Sequence, residues 1–398
     1  MPIYRQAKST PPPPGPDLWE RAKTVSGLIA AVVLPVVVLV VGNLYTSAVK
    51  ERELEGKFVE LAVSILRETP DKQAANLRDW ATQVITLYSR VPLSPETRRE
   101  LIETTPLPSG LISLHPFKPQ RVIALGDQSS VIAADGRKYT INALNKDGSI
   151  DCAANPIWVQ AVAESFGYVF RECNPRKRAD IRAFIRATPG AKVDDVRSQI
   201  DLQMTSPRGG GINSQDLITL LAGTNDVLEV YSQYPQRSET DLLAELNVRG
   251  DRLAAQVNRL VSLGARVVVS TVPDMGATPY AAQQKASFGD TDRAALLSRL
   301  TGAFNARLRT SIVNDGRFVG LVLADEMVQS QVKMPSTFGL TNVRGPACLV
   351  GPPDCTSKTL AAGATAARWL WADATNMSAA GHSRLGALAV GRVVGTAF

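Results

Sequence analysis

Three short polar motifs follow apolar runs of the sequence, and they hold most of the residue types that could do chemistry. They are Gly126-Asp127-Gln128 with Ser129 and Ser130 behind it, Gly223-Thr224-Asn225-Asp226, and Pro273-Asp274. A serine hydroxyl can act as a nucleophile when a base lies within hydrogen-bond reach. The three aspartates could instead hold a cation or accept hydrogen bonds from loop N–H groups. The chain has only two histidines, His115 and His382, which limits the positions available for a histidine base.

The elements that would position these motifs alternate regularly from Arg121 onward. Four runs are almost wholly apolar, namely Arg121–Asp127, Leu217–Gly223, Ala265–Pro273 and Phe318–Ala324. Helical periodicity separates them or closes the chain, at Pro156–Phe166, Glu239–Leu263, Thr291–Val313 and Ala379–Val394. Apolar strands alternating with amphipathic helices indicate a parallel sheet covered on both faces. We expect a further strand near Gly167–Arg171, and we expect the site at the carboxyl ends of the strands.

The blocks taken together resemble the SGNH (GDSL-type) ester hydrolases. IALGDQSS is similar to the GDSL block of that family, LLAGTNDV to its G-x-N-D block, and LWADATNMSAAGH to its closing Asp-x-x-His region. ATPGAKVDD resembles the glycine-bearing second block, and NPIWVQAVAESFG resembles the Asn-x-x-Trp helix. The similarity covers residues 117–398 in the block order of the family, and it is greatest to the bacterial phospholipase/lecithinase-like branch. The resemblance implies a flavodoxin-like, three-layer α/β/α fold with a parallel sheet.

The resemblance also implies a set of site residues. Gly190 and Asn225 take the oxyanion positions, and Asp373 takes the position of the aspartate that orients the base. Gln128 stands at the nucleophile position and Asn376 at the base position. A glutamine amide is not a nucleophile near neutral pH, and an asparagine amide does not take up a proton. The sequence therefore predicts a pseudohydrolase that binds a ligand or serves as a scaffold, without cofactor or metal.

An active enzyme is the alternative interpretation. Ser129 and Ser130 follow Gln128, and His382 matches the second, non-catalytic histidine of the family. A rewired Ser129/His382 site would make the chain a serine esterase or lipase acting on lipid or acetyl esters. If the chain turns into a helix after Gln128, each step rotates the side chain by about 100°, which would point Ser129 away from the oxyanion donors. His115 is expected about 20 Å from the site, at ~3.3 Å per residue of strand.

The N-terminal part of the sequence predicts attachment to a membrane. Residues 1–23 are proline-rich and are expected to form a disordered cytoplasmic tail, and residues 24–46 are apolar over a length that spans a bilayer. A cleaved signal peptide remains the alternative. We expect a helical juxtamembrane module at 47–104, a linker at 105–119 and the hydrolase-like domain at 120–398. The helical module either binds a protein partner or acts as a spacer.

The cysteines help to predict the cellular compartment in which the large domain lies. Their spacing matches no paired zinc pattern, and the pairs Cys152 with Cys173 and Cys348 with Cys355 would close two local loops. Four free buried thiols are the alternative. Disulfides are typical of exported proteins, and the resemblance also favours export. We therefore expect a single-pass protein of the bacterial inner membrane whose C-terminal domain lies on the periplasmic, exported side.

The charge of the chain favours no nucleic-acid partner. The formal net charge is +7, and the sequence has neither a phosphate-binding P-loop nor a nucleic-acid-binding signature. The expected partners are the membrane and a lipid or acyl/acetyl-ester ligand. One basic cluster is notable, made of Arg171, Arg176, Lys177, Arg178, Arg182 and Arg186. It is interpreted as a solvated helix face or as a contact for anionic lipid headgroups or an anionic polymer.

Overall fold

The computed structural model describes Ala62, Ile65, Leu66 and residues 75–89, 94–103, 117–206 and 210–394. The predicted tail at 1–23, the predicted span at 24–46, most of the linker and His115 lie outside the described residues. No helix of the described part is both long and apolar enough to cross a membrane. The chain divides into two compact units, residues 1–113 and 114–398.

The first unit contains helix α1 (Ala75–Ser89) and helix α2 (Pro95–Glu103). Its core is built from the buried side chains of Ala62, Leu66, Ala81, Val84 and Leu101. Arg78 is also buried in this unit, and its guanidinium donates hydrogen bonds to the carbonyls of Ile65, Leu66 and Leu101. Because one buried cation of α1 ties a carbonyl of α2 to two adjacent carbonyls earlier in the chain, α1 and α2 are held as a packed pair.

The second unit is built on a five-stranded parallel sheet. Its strands are β1 (Arg121–Gly126), β2 (Ala183–Ile185), β3 (Asp216–Leu221), β4 (Arg266–Ser270) and β5 (Val319–Val322). Their order across the sheet is β2-β1-β3-β4-β5, and every neighbouring pair is parallel. This is the flavodoxin-like order, in which a topological switch point lies beside the first strand. Two short ribbons lie outside this sheet, one joining Ala143–Leu144 to Ile150–Asp151 and the other joining Asn342–Pro346 to Trp369–Trp371.

Helices cover both faces of the sheet. In the second unit they are α3 (Trp158–Ser165), α4 (Val193–Thr205), α5 (Thr224–Tyr231), α6 (Glu239–Ser262), α7 (Pro279–Ser287), α8 (Arg293–Ser311), α9 (Ala324–Lys333) and α10 (Ala379–Val394). Successive side chains of a strand point to opposite faces. Accordingly, Ile123 and Leu125 of β1 pack with α4, α6 and α8, whereas Val122 and Ala124 pack with α3, α9 and α10. The result is three layers of helix, sheet and helix.

Two sequence predictions about the region before β2 are wrong. The fifth strand lies at Ala183–Ile185 rather than near Gly167–Arg171, where the chain turns and only Phe170 forms a bridge, to Ala183. Nor do Arg178, Arg182 and Arg186 share a helix, because residues 178–182 form no regular element and β2 follows directly. The apolar part of this strand is only three residues long and is enclosed by charged residues. Its pattern is too short to be distinguished from a loop.

Candidate active site

The nucleophile position is set by the turn that ends β1. Residues Gln128–Ser130 form one turn of 3-10 helix, and the carboxylate of Asp127 caps this turn by accepting the N–H of Ser129 at 2.9 Å. Burial raises the pKa of Asp127 to about 6, against the opposing effect of the Ser129 N–H. The side chain of Gln128 is 8% exposed. Gln128 therefore occupies a fixed, nearly closed position at the carboxyl edge of the sheet.

The two predicted oxyanion donors converge on Gln128. Gly190 follows β2, and its N–H points to Oε1 of Gln128 at 3.2 Å. Asn225 lies in the first turn of α5 after β3, and its Nδ2 donates to the same Oε1 at 3.0 Å. A backbone N–H can only donate, so the atom that faces Gly190 must be the oxygen of the Gln128 amide. Asn225 is itself held by a hydrogen bond from Nδ2 to the carbonyl of Ala191 at 2.9 Å.

This geometry has a chemical meaning. In acyl transfer, donors of this kind stabilise the oxygen on which negative charge develops, and they act when placed within hydrogen-bond distance of it. Here a neutral amide oxygen of the chain's own Gln128 takes that place. The two predicted donors are therefore already hydrogen-bonded, and any other acceptor that reaches them has to displace the Gln128 side chain.

The base position lies in a tight turn before α10. One carboxylate oxygen of Asp373 accepts the N–H groups of Thr375 at 2.8 Å and Asn376 at 2.6 Å, and the other accepts Nδ2 of Asn376 at 2.9 Å. Asp373 thus holds the amide of Asn376 as an aspartate would hold an imidazole. The amide has no basic nitrogen, so this pair cannot take a proton from a nucleophile. Among the described residues, no hydrogen bond links this pair to the Gln128 group.

The structure does not assemble the alternative site of Ser129 and His382. Ser129 is half-buried, and Ser130 is fully buried with its hydroxyl accepting from Nε1 of Trp158 at 3.2 Å. His382 lies in α10 and is fully buried, and no hydrogen-bond partner is found for its Nδ1 in the described part of the chain. Burial lowers the pKa of His382 to about 3, and the nearby charge of Lys138 acts in the same direction. A base that weak does not accept a proton near neutral pH.

One prediction on His382 follows from its buried, neutral state. The unfolded chain takes up a proton near pH 6.5, whereas the folded chain does so only near pH 3, so folding loses stability as the pH falls through that interval. Between about pH 7 and about pH 5 we expect His382 to lower the free energy of unfolding by about 2 kcal/mol. Urea unfolding at both pH values should show a smaller loss for a His382→Gln variant. An equal loss in parent and variant would contradict the assignment.

Lys138 is a buried charged residue that the sequence prediction missed. Its ammonium donates to the carbonyls of Cys152, Ala154 and Asn155 at 2.7 to 2.9 Å. Burial lowers the pKa of Lys138 to about 8. No motif marks this lysine in the sequence, because its neighbours are polar and resemble an ordinary loop. Its role in the structure is to fix the chain that leads into α3.

The two expected cysteine pairs are joined in the structure, as Cys152–Cys173 and Cys348–Cys355. The fully buried Asn142 lies between the regions that they close. Its Nδ2 donates to the carbonyls of Pro353 and Cys355, and its Oδ1 accepts the N–H of Lys138. The chain beyond β1 and the loop before Asp373 are therefore fastened to each other.

The three aspartates at the strand ends make bonds within the protein. Asp226 accepts the N–H of Val193 at 3.0 Å and pairs with Arg249 at 3.1 Å. Asp274 accepts the N–H of Gly276, the hydroxyl of Ser298 and the amide of Gln329. Within the described ranges, no group of three or more His, Cys, Asp or Glu side chains is arranged to hold a metal ion. The carboxylates thus serve to fix the loops at this edge.

Comparisons with known proteins identify the family to which the chain belongs. An acetylxylan esterase from Geobacillus stearothermophilus is 13% identical, with a TM-score of 0.37 over 70% of this chain and 96% of its own. The protein YXIM of Bacillus subtilis is 15% identical, with a TM-score of 0.30 over 70% of this chain and 57% of its own. These similarities are too slight to bear on function. A search of the curated proteins finds no significant match. The family model described as GDSL-like lipase/acylhydrolase matches residues 122–389, more than half of the 398 residues, and the chain belongs to that family.

Proposed function

We propose that this chain is a catalytically silent member of its family, a pseudohydrolase whose domain binds a ligand or serves as a scaffold. The observation that carries the proposal is the position of the Gln128 amide oxygen, which accepts from both Gly190 and Asn225. Glutamine at this position removes the nucleophile and also fills the place of the substrate oxygen. One residue thus abolishes two requirements of acyl transfer.

The rest of the site supports the same conclusion. Asn376 takes the proton-accepting position without a proton-accepting atom, and it is bonded to Asp373. The nearest hydroxyls in the sequence belong to Ser129 and Ser130, and neither is hydrogen-bonded to a histidine in the described residues. His382, the only histidine among the described residues, is buried and holds a proton only in strong acid. Retained activity through Ser129 would therefore require a rebuilt turn and a different base.

We further propose that the domain is attached to the bacterial inner membrane through residues 24–46 and lies on the exported side. The support is the apolar length of that segment, which suffices for a bilayer. The two disulfides support a location on the exported side, because disulfides persist in oxidising compartments and are rare in the cytosol. The expected ligand of the cleft is a lipid or acyl/acetyl ester, and the expected partner of 47–104 is a protein.

A serine-reactive fluorophosphonate probe and a short-chain p-nitrophenyl ester test the catalytic part on the full chain. We expect no labelling and no hydrolysis above that of a Ser129→Ala/Ser130→Ala control. Labelling mapped to Ser129 or Ser130, together with turnover lost in the control, would overturn the proposal and favour the active esterase. A His382→Gln variant with unchanged turnover would then show that the base is not His382.

A further inference from the structure

The segment from Arg171 to Arg178 carries an excess of positive charge. It holds four cations, Arg171, Arg176, Lys177 and Arg178, and one anion, Glu172, for a net charge of +3 (four minus one). Arg171, Arg176 and Lys177 are exposed, and no ion pair or side-chain hydrogen bond is found for them in the described part of the chain. Arg178 donates to the carbonyl of Gly167.

The arginines of α6 and α8 and of the loops before α6 and β5 behave differently. Each pairs with a carboxylate: Arg237, Arg249, Arg252, Arg259, Arg293, Arg299, Arg307, Arg309 and Arg317. Their charges are largely cancelled within the protein. Arg171, Arg176 and Lys177 have no such carboxylate partner in the described structure, so their charges are available to an external anion.

The segment is held in a fixed shape. The disulfide from Cys152 to Cys173 fastens the segment near its start. The side chain of Asn174 both donates to the carbonyl of Arg178 and accepts the N–H of Arg178. Lys177 has a φ of 50°, in the left-handed region that a non-glycine residue adopts only when its surroundings hold it there. The cations are therefore presented on a rigid turn, which lowers the entropy lost when they bind.

A cavity of about 170 Å³ opens beside these cations. Tyr168, Phe170 and Pro175 contribute apolar wall, and Arg176 and Arg178 contribute positive charge. Glu164 lines the same cavity and forms no ion pair with either arginine in the described structure. Such a site combines a place for an anionic group with apolar surface next to it, which suits an amphiphile better than a fully polar anion.

We propose that this cationic segment and its cavity bind the phosphate headgroups of anionic phospholipids in the membrane to which the chain is attached. A basic surface near a bilayer gains free energy from each cation that reaches the anionic headgroups. The proposed attachment through 24–46 would tether the chain to such a surface. The inference rests on the attachment part of the proposed function and is independent of its catalytic part.

Hydrogen–deuterium exchange tests the inference on the full chain in nanodiscs. One set of discs holds phosphatidylcholine alone, and the other holds a third phosphatidylglycerol. We expect amides of residues 168–182 to exchange roughly tenfold more slowly in the anionic discs, with the difference lost at high salt. Equal exchange in the two sets would overturn the inference.

A charge-matched pair of variants makes the test specific. The difference in amide exchange between the two kinds of disc should be lost in the variant Arg171→Gln/Arg176→Gln/Lys177→Gln. The reason is that three cations together contribute roughly a hundredfold to surface association. Arg344→Gln/Lys358→Gln/Arg368→Gln removes three exposed cations elsewhere and should keep the difference. Loss of the difference in both variants would show a response to net charge alone and would overturn the inference.

Two further measurements ask whether the bound anion comes from the membrane or from solution, and whether the chain is attached to the membrane at all. Glycerol 3-phosphate or dextran sulfate is added to phosphatidylcholine discs, and protection equal to that in anionic discs would overturn the membrane source. Co-elution of the chain with phosphatidylcholine discs reports attachment through 24–46. Failure to co-elute would count against the proposed attachment, whereas equal exchange in both kinds of disc counts only against the headgroup site.

Discussion

A Gln128→Ser/Asn376→His double variant is expected to hydrolyse short-chain p-nitrophenyl esters at least about a thousandfold faster than the parent chain. Serine at 128 supplies the nucleophile and removes the amide oxygen from the donors of Gly190 and Asn225. Histidine at 376 supplies a base beside Asp373, whose carboxylate already accepts a side-chain N–H from that position at 2.9 Å. Gly190, Asn225 and Asp373 are unchanged in this variant.

The single variants distinguish this explanation from a general loosening of the domain. Gln128→Ser alone opens the donors but lacks a base, and Asn376→His alone leaves Gln128 in the place of the substrate oxygen. We expect both to stay near the parent rate, because groups that act as a unit are strongly non-additive. Adding Asn225→Ala to the double variant should lower turnover by about a hundredfold. A folded but inactive double variant would refute the view that only the two substitutions silence the site.

The second large effect is expected for stability, in a Gly126→Ala variant. Gly126 ends β1 with a φ of 113°, and a Cβ added there would lie 1.8 Å from the carbonyl oxygen of Leu221 on β3. That oxygen is backbone and cannot move without breaking the sheet. We expect a loss of more than about 3 kcal/mol, the sum of the backbone strain and the overlap. Urea unfolding followed by circular dichroism measures it.

Gly148→Ala is the matched control for that variant. Gly148 also has a positive φ, of 87°, but nothing lies within 4 Å of the position of an added Cβ. Only the backbone strain remains, which amounts to about 1–2 kcal/mol. If the two variants lost the same stability, the close approach of β1 to β3 would not be what requires glycine at 126.

The sequence predicts four of the five strands of the sheet, including the edge strand β5, but misplaces β2 at the opposite edge. The apolar runs at Arg121–Asp127, Leu217–Gly223, Ala265–Pro273 and Phe318–Ala324 overlap β1, β3, β4 and β5 closely, because strands buried on both faces must be apolar throughout. Strand β2 lies at the edge and has only Ala183, Phe184 and Ile185. Its position is fixed by its partner β1, through tertiary contacts that leave no periodic signal.

The motifs of the sequence indicate positions for the candidate site, but they do not give its contacts. Gln128, Asn225 and Asp373 follow from short motifs at the ends of strands and before the last helix. That the Gln128 oxygen meets both Gly190 and Asn225 depends on a side-chain rotamer and on three loops far apart in sequence. The burial of Lys138 likewise depends on carbonyls that only the folded chain brings together. Motif spacing carries no information on either.

The position of Gln128 also bears on how this site can evolve. Its oxygen belongs to the same molecule as the donors, so it competes with any dissolved carbonyl at an effective concentration far above the ~mM range typical of flexible linkers. Under the proposed function, a change to serine at 128 alone would lose that hydrogen-bonded arrangement while no base stands at 376 to activate the hydroxyl. Under the proposed function, a gain of catalysis at this site therefore needs a nucleophile at 128 and a base at 376 together.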